Sequence, residues 1–277
     1  MIIAVTGGKG GTGKSTVATA LAYELSKKNK VLLIDADVDC PNDHLLLNIK
    51  KEHLKKIEQR IANFDLSKCE KCGVCSKVCK NNAIVFIKDK YPIFLPEQCN
   101  GCGACKISCK FDAISWKLKE IGHLYKGKKD NLDLLSGELK TNQPVSEFIV
   151  NNLNKELLKM KFFYDYIIID TAAGSHCPVI AALKYADKII TVTEPTPLGA
   201  HDLNIILNLL NKLNKKGSII INRSDFGEKK EIESLANKYN VNIILEIKFS
   251  KEIINSYTEG KPIIISNILS IFDDFKK

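Results

Sequence analysis

Eight of the chain's ten cysteines fall in two copies of one pattern, C-x2-C-x2-C-x3-C. The first copy is Cys69, Cys72, Cys75 and Cys79, and the second is Cys99, Cys102, Cys105 and Cys109. Thiolates at this spacing suit iron–sulfur clusters. Zinc sites pair two short C-x2-C units, so two four-cysteine runs argue against zinc. A second chemistry lies upstream, in Gly8-Lys9-Gly10-Gly11-Thr12-Gly13-Lys14-Ser15-Thr16, which matches G-x-x-x-x-G-K-[ST]. There the glycines let backbone N–H groups converge on phosphate oxygens. The helix that follows aims its positive N-terminal end at the same anion. Lys14 is placed to reach the β- and γ-phosphates and Ser15 to ligate magnesium. Downstream, the apolar run Tyr166–Ile169 ends in Asp170, a carboxylate positioned for the magnesium shell.

The elements that must hold these groups read as alternating strands and helices. Met1–Thr6 and Val31–Asp35 are continuous apolar runs, as buried parallel strands require. Ser15–Lys28 carries helical spacing between them, and the polar turn Asp37–Asp43 follows. Ile49–Asn63 is ambiguous: Leu54, Ile57 and Ile61 fit a helix, while its end also fits a strand. Between the cysteine runs, Ala83–Ile87 and Tyr91–Leu95 read as a hairpin turning at Lys88-Asp89-Lys90. The two runs repeat internally, with Asn82-Ala83-Ile84 after Cys79 and Asp112-Ala113-Ile114 after Cys109. Gly122–Leu139 reads as a short lysine-rich strand pair and Pro144–Lys159 as a helix. Strands Tyr166–Asp170, Lys188–Thr193, Ser218–Asn222 and Ile243–Ile247 then alternate with helices near 177–185, 200–213, 228–239 and 251–259. This is the pattern of an α/β, doubly wound, mostly parallel sheet.

Lys9-Gly10-Gly11-Thr12-Gly13-Lys14-Ser15-Thr16 resembles the deviant phosphate-loop motif of the MinD/ParA/nitrogenase-iron-protein superfamily. The resemblance implies that Lys9 reaches across a dimer interface to the partner's nucleotide, giving an ATP-sandwich homodimer. It makes Asp35-Ala36-Asp37 the first switch, with Asp37 orienting the attacking water and joining the magnesium shell, and Asp35 supporting it. It makes Asp170-Thr171-Ala172-Ala173-Gly174 the second switch, with Gly174 responding to the γ-phosphate, and Asn222 the adenine-reading amide. The catalytic set it implies is Lys9, Lys14 and Asp37; the magnesium set is Ser15, Asp37 and Asp170. The cysteine runs resemble a bacterial-type ferredoxin with two 4Fe–4S clusters. In such folds the fourth cysteine of each run serves the other cluster. One cluster would take Cys69, Cys72, Cys75 and Cys109, the other Cys99, Cys102, Cys105 and Cys79. Two-cluster ferredoxins place proline after the fourth cysteine; Lys80 and Lys110 stand there in this chain.

The whole therefore resembles a MinD-type P-loop ATPase, residues 1–61 and 118–277, carrying an inserted ferredoxin module, residues 62–117. The expected activity is ATP binding and hydrolysis coupled to electron transfer or metallocofactor assembly, with ATP, Mg2+ and two 4Fe–4S clusters as cofactors. The partners expected are a second copy and a redox or cofactor-assembly protein. Two alternatives stay open. One is a cluster carrier using the remaining thiols, Cys40 and Cys177, each beside a switch; the plain reading of these two is small buried thiols. The other is a positioning ATPase whose insert is a docking module. The net charge of +9 does not point to nucleic acid, because the excess is lysine spread along the chain and the only arginines are Arg60 and Arg223. No apolar run is long enough to span a membrane. The tail Ile268–Lys277 mixes acids with two terminal lysines, which favours core packing over membrane docking. Met1–Thr6 enters the phosphate loop directly, with no signal-peptide pattern, so a reducing cytoplasm is expected.

Overall fold

The computed structural model describes residues 1–275. In chain order its strands are β1 Ile2–Thr6, β2 Val31–Ala36, β3 Glu52–Phe64, β4 Ile84–Val85, β5 Ile93–Phe94, β6 Ile114–Lys129, β7 Leu132–Leu139, β8 Tyr166–Thr171, β9 Lys188–Thr193, β10 Gly217–Asn222 and β11 Ile243–Ile247. The helices are α1 Lys14–Ser26, α2 Asp43–Leu46, α3 Val74–Lys77, α4 Ala104–Ile107, α5 Glu147–Met160, α6 Cys177–Leu183, α7 Pro197–Lys212, α8 Lys230–Tyr239, α9 Lys251–Thr258 and α10 Ile271–Phe275.

One large sheet runs in the order β11-β10-β9-β1-β8-β2-β7-β6-β3. From β11 to β7 every pairing is parallel, while β6 and β3 join antiparallel at one edge. Alternate side chains of a strand point to opposite faces, and here both faces are buried. Ala4, Leu32, Ile34, Ile167 and Ile169 pack on one side, in a core shared with α5, α6, α7 and α8. Ile3, Val5, Leu33 and Ile168 pack on the other, against Val17, Leu21 and Leu25 of α1. That two-sided burial is why these strands read as unbroken apolar runs. No helix of the described residues is long and apolar enough to cross a membrane. The tail joins the second core through Ile268 and Ile271, and Phe272 meets Tyr166 edge-on at 5.3 Å, so it packs as expected. Its terminal lysines, Lys276 and Lys277, lie outside the described residues.

The middle of the chain departs from expectation. The ambiguous segment is a strand: Ile57, Gln59 and Ile61 are buried while Glu58 and Arg60 are exposed, a period of two. Pairing with β6 decides the matter, from Glu52↔Lys126 to Phe64↔Ile114. The strand expected to begin at Gly122 instead begins at Ile114 and runs 16 residues. A single antiparallel ribbon therefore passes from the sheet edge into the cysteine segment, with Ile61 opposite Lys117 and Ala62 opposite Trp116. The boundary expected at 61/62 and 117/118 falls inside that pairing, and no linker marks it. The hairpin between the cysteine runs is shorter than expected, with Ile84↔Phe94 and Val85↔Ile93 as its pairs.

Candidate nucleotide site and cysteine module

The loops after β1, β2, β8 and β10 meet at the carboxyl ends of the parallel strands, where open α/β sheets bind ligands. They surround a cavity of about 410 Å3. Gly10, Gly11, Gly13, Lys14, Ser15 and Thr16 line it, together with Asp37, Ala173 and Asn222. The phosphate loop needs its glycines for space as well as for conformation. Gly13 has φ +94°, and a Cβ there would lie 2.3 Å from Nδ2 of Asn222. That amide donates to the Thr12 carbonyl at 2.9 Å, and its Oδ1 accepts from the backbone N–H of Arg223 at 3.0 Å. Asn222 thus buttresses the loop as well as bordering the cavity. Lys14 is buried, and its Nζ donates to the Lys9 carbonyl at 2.8 Å. Gly8 packs under the loop, leaving no room for a Cβ beside the Asp202 backbone. Thr12 is buried, and Lys9 is half-exposed. The N–H of Gly174 donates to Gly7 at 3.1 Å, which ties the second switch segment to the phosphate loop.

Behind the loop four carboxyl groups gather, two of which, Asp37 and Asp170, face Lys14. Asp35, Asp43 and Asp170 are fully buried and Asp37 is half-buried; Asp39 is exposed. Burial is the main force raising all four carboxyls above the usual range, and their mutual repulsion adds to it. Asp170 is raised to about 7, with the Ser15 hydroxyl and Lys14 acting in the opposite direction. Burial pushes the Lys14 ammonium down, while Asp170 and Asp37 hold it up. Among the described residues Oδ1 of Asp35 has no hydrogen-bond partner, and the carboxyls of Asp43 and Asp170 find side-chain partners only in each other and in the Ser15 hydroxyl. Orphaned buried carboxylates cost several kcal/mol in total unless paired or bound to a metal. A hard cation with oxygen ligands would relieve that cost, and Ser15, Asp37 and Asp170 carry oxygen donors of the kind Mg2+ takes.

The far end of the cavity was not legible in the sequence. Phe249, Ile253, Ile254 and Tyr257, after β11 and on α9, line it with Arg223 and Lys248. Arg223 also pairs with Glu194. The only sequence signal was an apolar-aromatic run following a strand, which reads equally well as core.

The cysteine segment keeps its internal repeat in three dimensions. The backbone is left-handed at matching positions, Lys71 and Gly101, Gly73 and Gly103, Asn82 and Asp112. Ala83 N–H donates to Cys79 Sγ at 3.3 Å, and Ala113 N–H to Cys109 Sγ at 3.4 Å. Two small cavities result. Cys69, Cys72, Cys75 and Cys109 line one, beside Phe64 and Ile114. Cys79, Cys99, Cys102 and Cys105 line the other, beside Trp116. All ten cysteines are free thiols. Burial, with the neighbouring Cys99, pushes Cys105 up to about 11, and burial likewise raises Cys75. Cys40 and Cys177 are exposed rather than buried. Cys177 borders a separate cavity near Glu147 and Lys184 that does not include Cys40.

Comparison with known proteins agrees with the nucleotide half of this description. The model of the CobQ/CobB/MinD/ParA nucleotide binding domain matches residues 3–263. An uncharacterised protein of Methanocaldococcus jannaschii is 36% identical over 97% of this chain and 93% of its own length. The septum site-determining protein MinD of Thermotoga maritima is 26% identical over 99% of this chain and 85% of its own. Among solved structures, the cell division ATPase MinD of Pyrococcus furiosus superposes with a TM-score of 0.60 at 18% identity, covering 100% of this chain and 98% of that one. The MinD of Pyrococcus horikoshii, complexed with Mg-ADP, gives 0.57 at 21% identity, covering 94% and 86%. These two likenesses speak for the fold. The chain belongs to the CobQ/CobB/MinD/ParA nucleotide-binding family and is an ATPase of the MinD and ParA type.

Proposed function

We propose that this ATPase is a nucleotide-driven dimer switch of the positioning kind, and that residues 62–117 form the module through which it docks a partner. The observation that carries this reading is one cavity lined by the phosphate loop, with Lys14, and by Asp37, with the buried Asp170 facing Lys14 behind it. In this reading Lys14 and the loop N–H groups hold the β- and γ-phosphates, and Ser15, Asp37 and Asp170 hold Mg2+. Asp37, half-buried at the cavity wall, orients the attacking water. Lys9, half-exposed on the loop, reaches the nucleotide of a second copy. The ribbon β3–β6 extends the sheet that ends in β2 and β7, so strain at the first switch has a paired, linker-free route into the docking module. The likeness to MinD septum site-determining proteins supports the positioning role. Analytical ultracentrifugation with ATP and Mg2+ tests it: the parent chain shifts to a dimer, and Lys9→Ala stays monomeric with ATP turnover at least about tenfold lower. A variant that dimerises like the parent removes Lys9 from the interface.

A second reading rests on a different observation, the crossed sharing of eight thiols between two cavities. Among the described residues, no group of three or more His, Cys, Asp or Glu side chains is arranged to hold a metal ion. Thiols around the wall of a cavity suit a polynuclear cluster better. Two 4Fe–4S clusters would supply one-electron chemistry. Cys69, Cys72, Cys75 and Cys109 would hold one; Cys79, Cys99, Cys102 and Cys105 would hold the other. Crowded thiols with raised pKa need a cation to be deprotonated together, and iron meets that need. In this reading the module transfers electrons or serves metallocofactor assembly under control of the ATPase. Iron analysis after anaerobic purification decides it. About eight irons per chain are expected, falling by about half in Cys72→Ser with Cys75→Ser. An iron-free, folded chain would exclude the clusters and leave docking alone.

A further inference from the structure

The far end of the cavity is built unlike its phosphate end. Phe249, Ile254 and Tyr257 line it, and they are 40%, 44% and 59% exposed. The helix that carries two of them, α9, has no buried residue. It is seated by Ile253, which packs against the second core, and by Ser250, whose Oγ accepts from the N–H groups of Glu252 and Ile253 at 3.1 and 3.4 Å. Phe249 leans on Phe226, with ring centroids 5.1 Å apart. Apolar surface left open on a cavity wall marks a place for a ligand. The phosphate loop lines the same cavity, so the group that suits this wall is the flat base of a nucleotide whose phosphates the loop holds. The polar side chains here are chiefly donors. Arg223 and Lys248 line the cavity, and Arg223, though paired with Glu194, has N–H groups left over. The acceptors next to these in the chain are engaged. Ser250 caps α9, and Oδ1 of Asn222 accepts from the N–H of Arg223 at 3.0 Å. Nδ2 of Asn222 donates to the Thr12 carbonyl. One donor and one acceptor of the amide expected to read adenine are thus engaged by the loop it braces.

We infer that this end of the cavity grips a nucleobase by its faces instead of selecting it by its edge, and that Tyr257 and Lys248 set which bases are taken. This assignment rests on the reading that the loop holds a nucleotide's phosphates. It widens the substrate class to purine nucleoside triphosphates, guanine as well as adenine. Every purine offers the same flat faces to Phe249, Ile254 and Tyr257, which gives affinity without selection. The edges differ. Guanine presents two acceptors, O6 and N7, to the donors of Arg223 and Lys248, whereas adenine has an amino donor in place of O6. Adenine therefore meets the wall and a donor at N7, and guanine meets the wall and donors at both atoms, so neither base is turned away.

Titration calorimetry with Mg2+ and ADP, GDP or pyrophosphate tests this in the parent chain, Tyr257→Ser and Lys248→Glu. Both side chains are exposed, so both variants are expected to fold. The parent binds GDP within about tenfold of ADP. Tyr257→Ser weakens ADP and GDP alike by about tenfold, in the range of a lost base–aromatic contact, and binds pyrophosphate as the parent does. Lys248→Glu puts an acceptor where a donor stood, and shifts the ratio of affinities toward ADP by about tenfold. GDP bound more than about tenfold more weakly than ADP by the parent overturns the tolerance of guanine. An unchanged ADP affinity in Tyr257→Ser overturns the apolar grip, and a parallel loss of pyrophosphate overturns it in favour of a structural tyrosine. A ratio unmoved in Lys248→Glu overturns the role of that lysine at the base edge. A parent that binds pyrophosphate as tightly as ADP overturns the base site alone, and one that binds none of the three overturns the reading of the cavity itself.

Discussion

The surroundings of Lys14, the residue proposed to hold the phosphates, show how a buried cation is kept. Burial lowers its pKa, and the facing carboxyls of Asp170 and Asp37 counter that effect. Its ammonium already has one fixed acceptor, the Lys9 carbonyl. Truncation removes the cation and leaves the carboxyls unopposed. Lys14→Ala therefore reduces phosphate release by about 10²–10³-fold, while any visible absorption of the cysteine module stays unchanged. A simultaneous loss of that absorption would show that the two halves do not fold independently. Lys14 and Ser15 were singled out because a phosphate loop is defined by local spacing, and Asp170 because it ends an apolar strand run. Asp43 was not, since nothing in the polar turn Asp37–Asp43 tells which of its three aspartates will be buried. Asn222 was recognised, but the sequence could not show that its amide braces Thr12.

At the level of elements, the β3–β6 ribbon matters most. It carries the cysteine module from the sheet edge without a linker, and Gly101 marks the join. Its φ is +73°, and a Cβ there would stand 2.2 Å from the Arg60 carbonyl on β3. Neither the backbone conformation nor the neighbouring main chain can give way cheaply. Gly101→Ala is expected to cost about 1–3 kcal/mol, read as a lowered denaturant midpoint. If the proposed clusters are present, iron is lost first from the Cys99 half. The partner position in the repeat is Lys71, also left-handed at φ +49°, where a side chain is accommodated. Lys71→Gly is therefore mild. The parallel strands were readable from their apolar runs because both faces are buried. The ribbon was not, because Leu54, Ile57 and Ile61 satisfy helical spacing and pairing with a strand over fifty residues away overrides it.

Over the whole molecule, buried charge sets a pH dependence. Asp170 rises from 3.8 to about 7, and Asp35 and Asp43 also rise well above 3.8. A carboxyl whose folded pKa exceeds its unfolded value holds more protons when folded. Stability is then greatest when the group is protonated and falls as pH rises from the unfolded to the folded pKa. The thermal midpoint, measured in EDTA without nucleotide, is expected to drop by roughly 3–6 °C between about pH 5 and about pH 7.5. Mg2+ and ADP flatten that slope by compensating the carboxylates. A midpoint that rises over this interval would contradict the buried arrangement.

Taken by itself, the sequence determined the phosphate loop, the two cysteine runs and the alternation that makes a parallel sheet. Each is written in residues close together along the chain, where glycine placement, thiol spacing and apolar runs act locally. Tertiary structure alone decided that Asp43 joins Asp35 and Asp170 in the interior, and that α9 lines the cavity beside the phosphate loop. It also decided that the cysteine module grows from a continuous ribbon. These outcomes depend on strand order and long-range pairing, which bring together groups separated by tens to hundreds of residues and set the burial from which their chemistry follows.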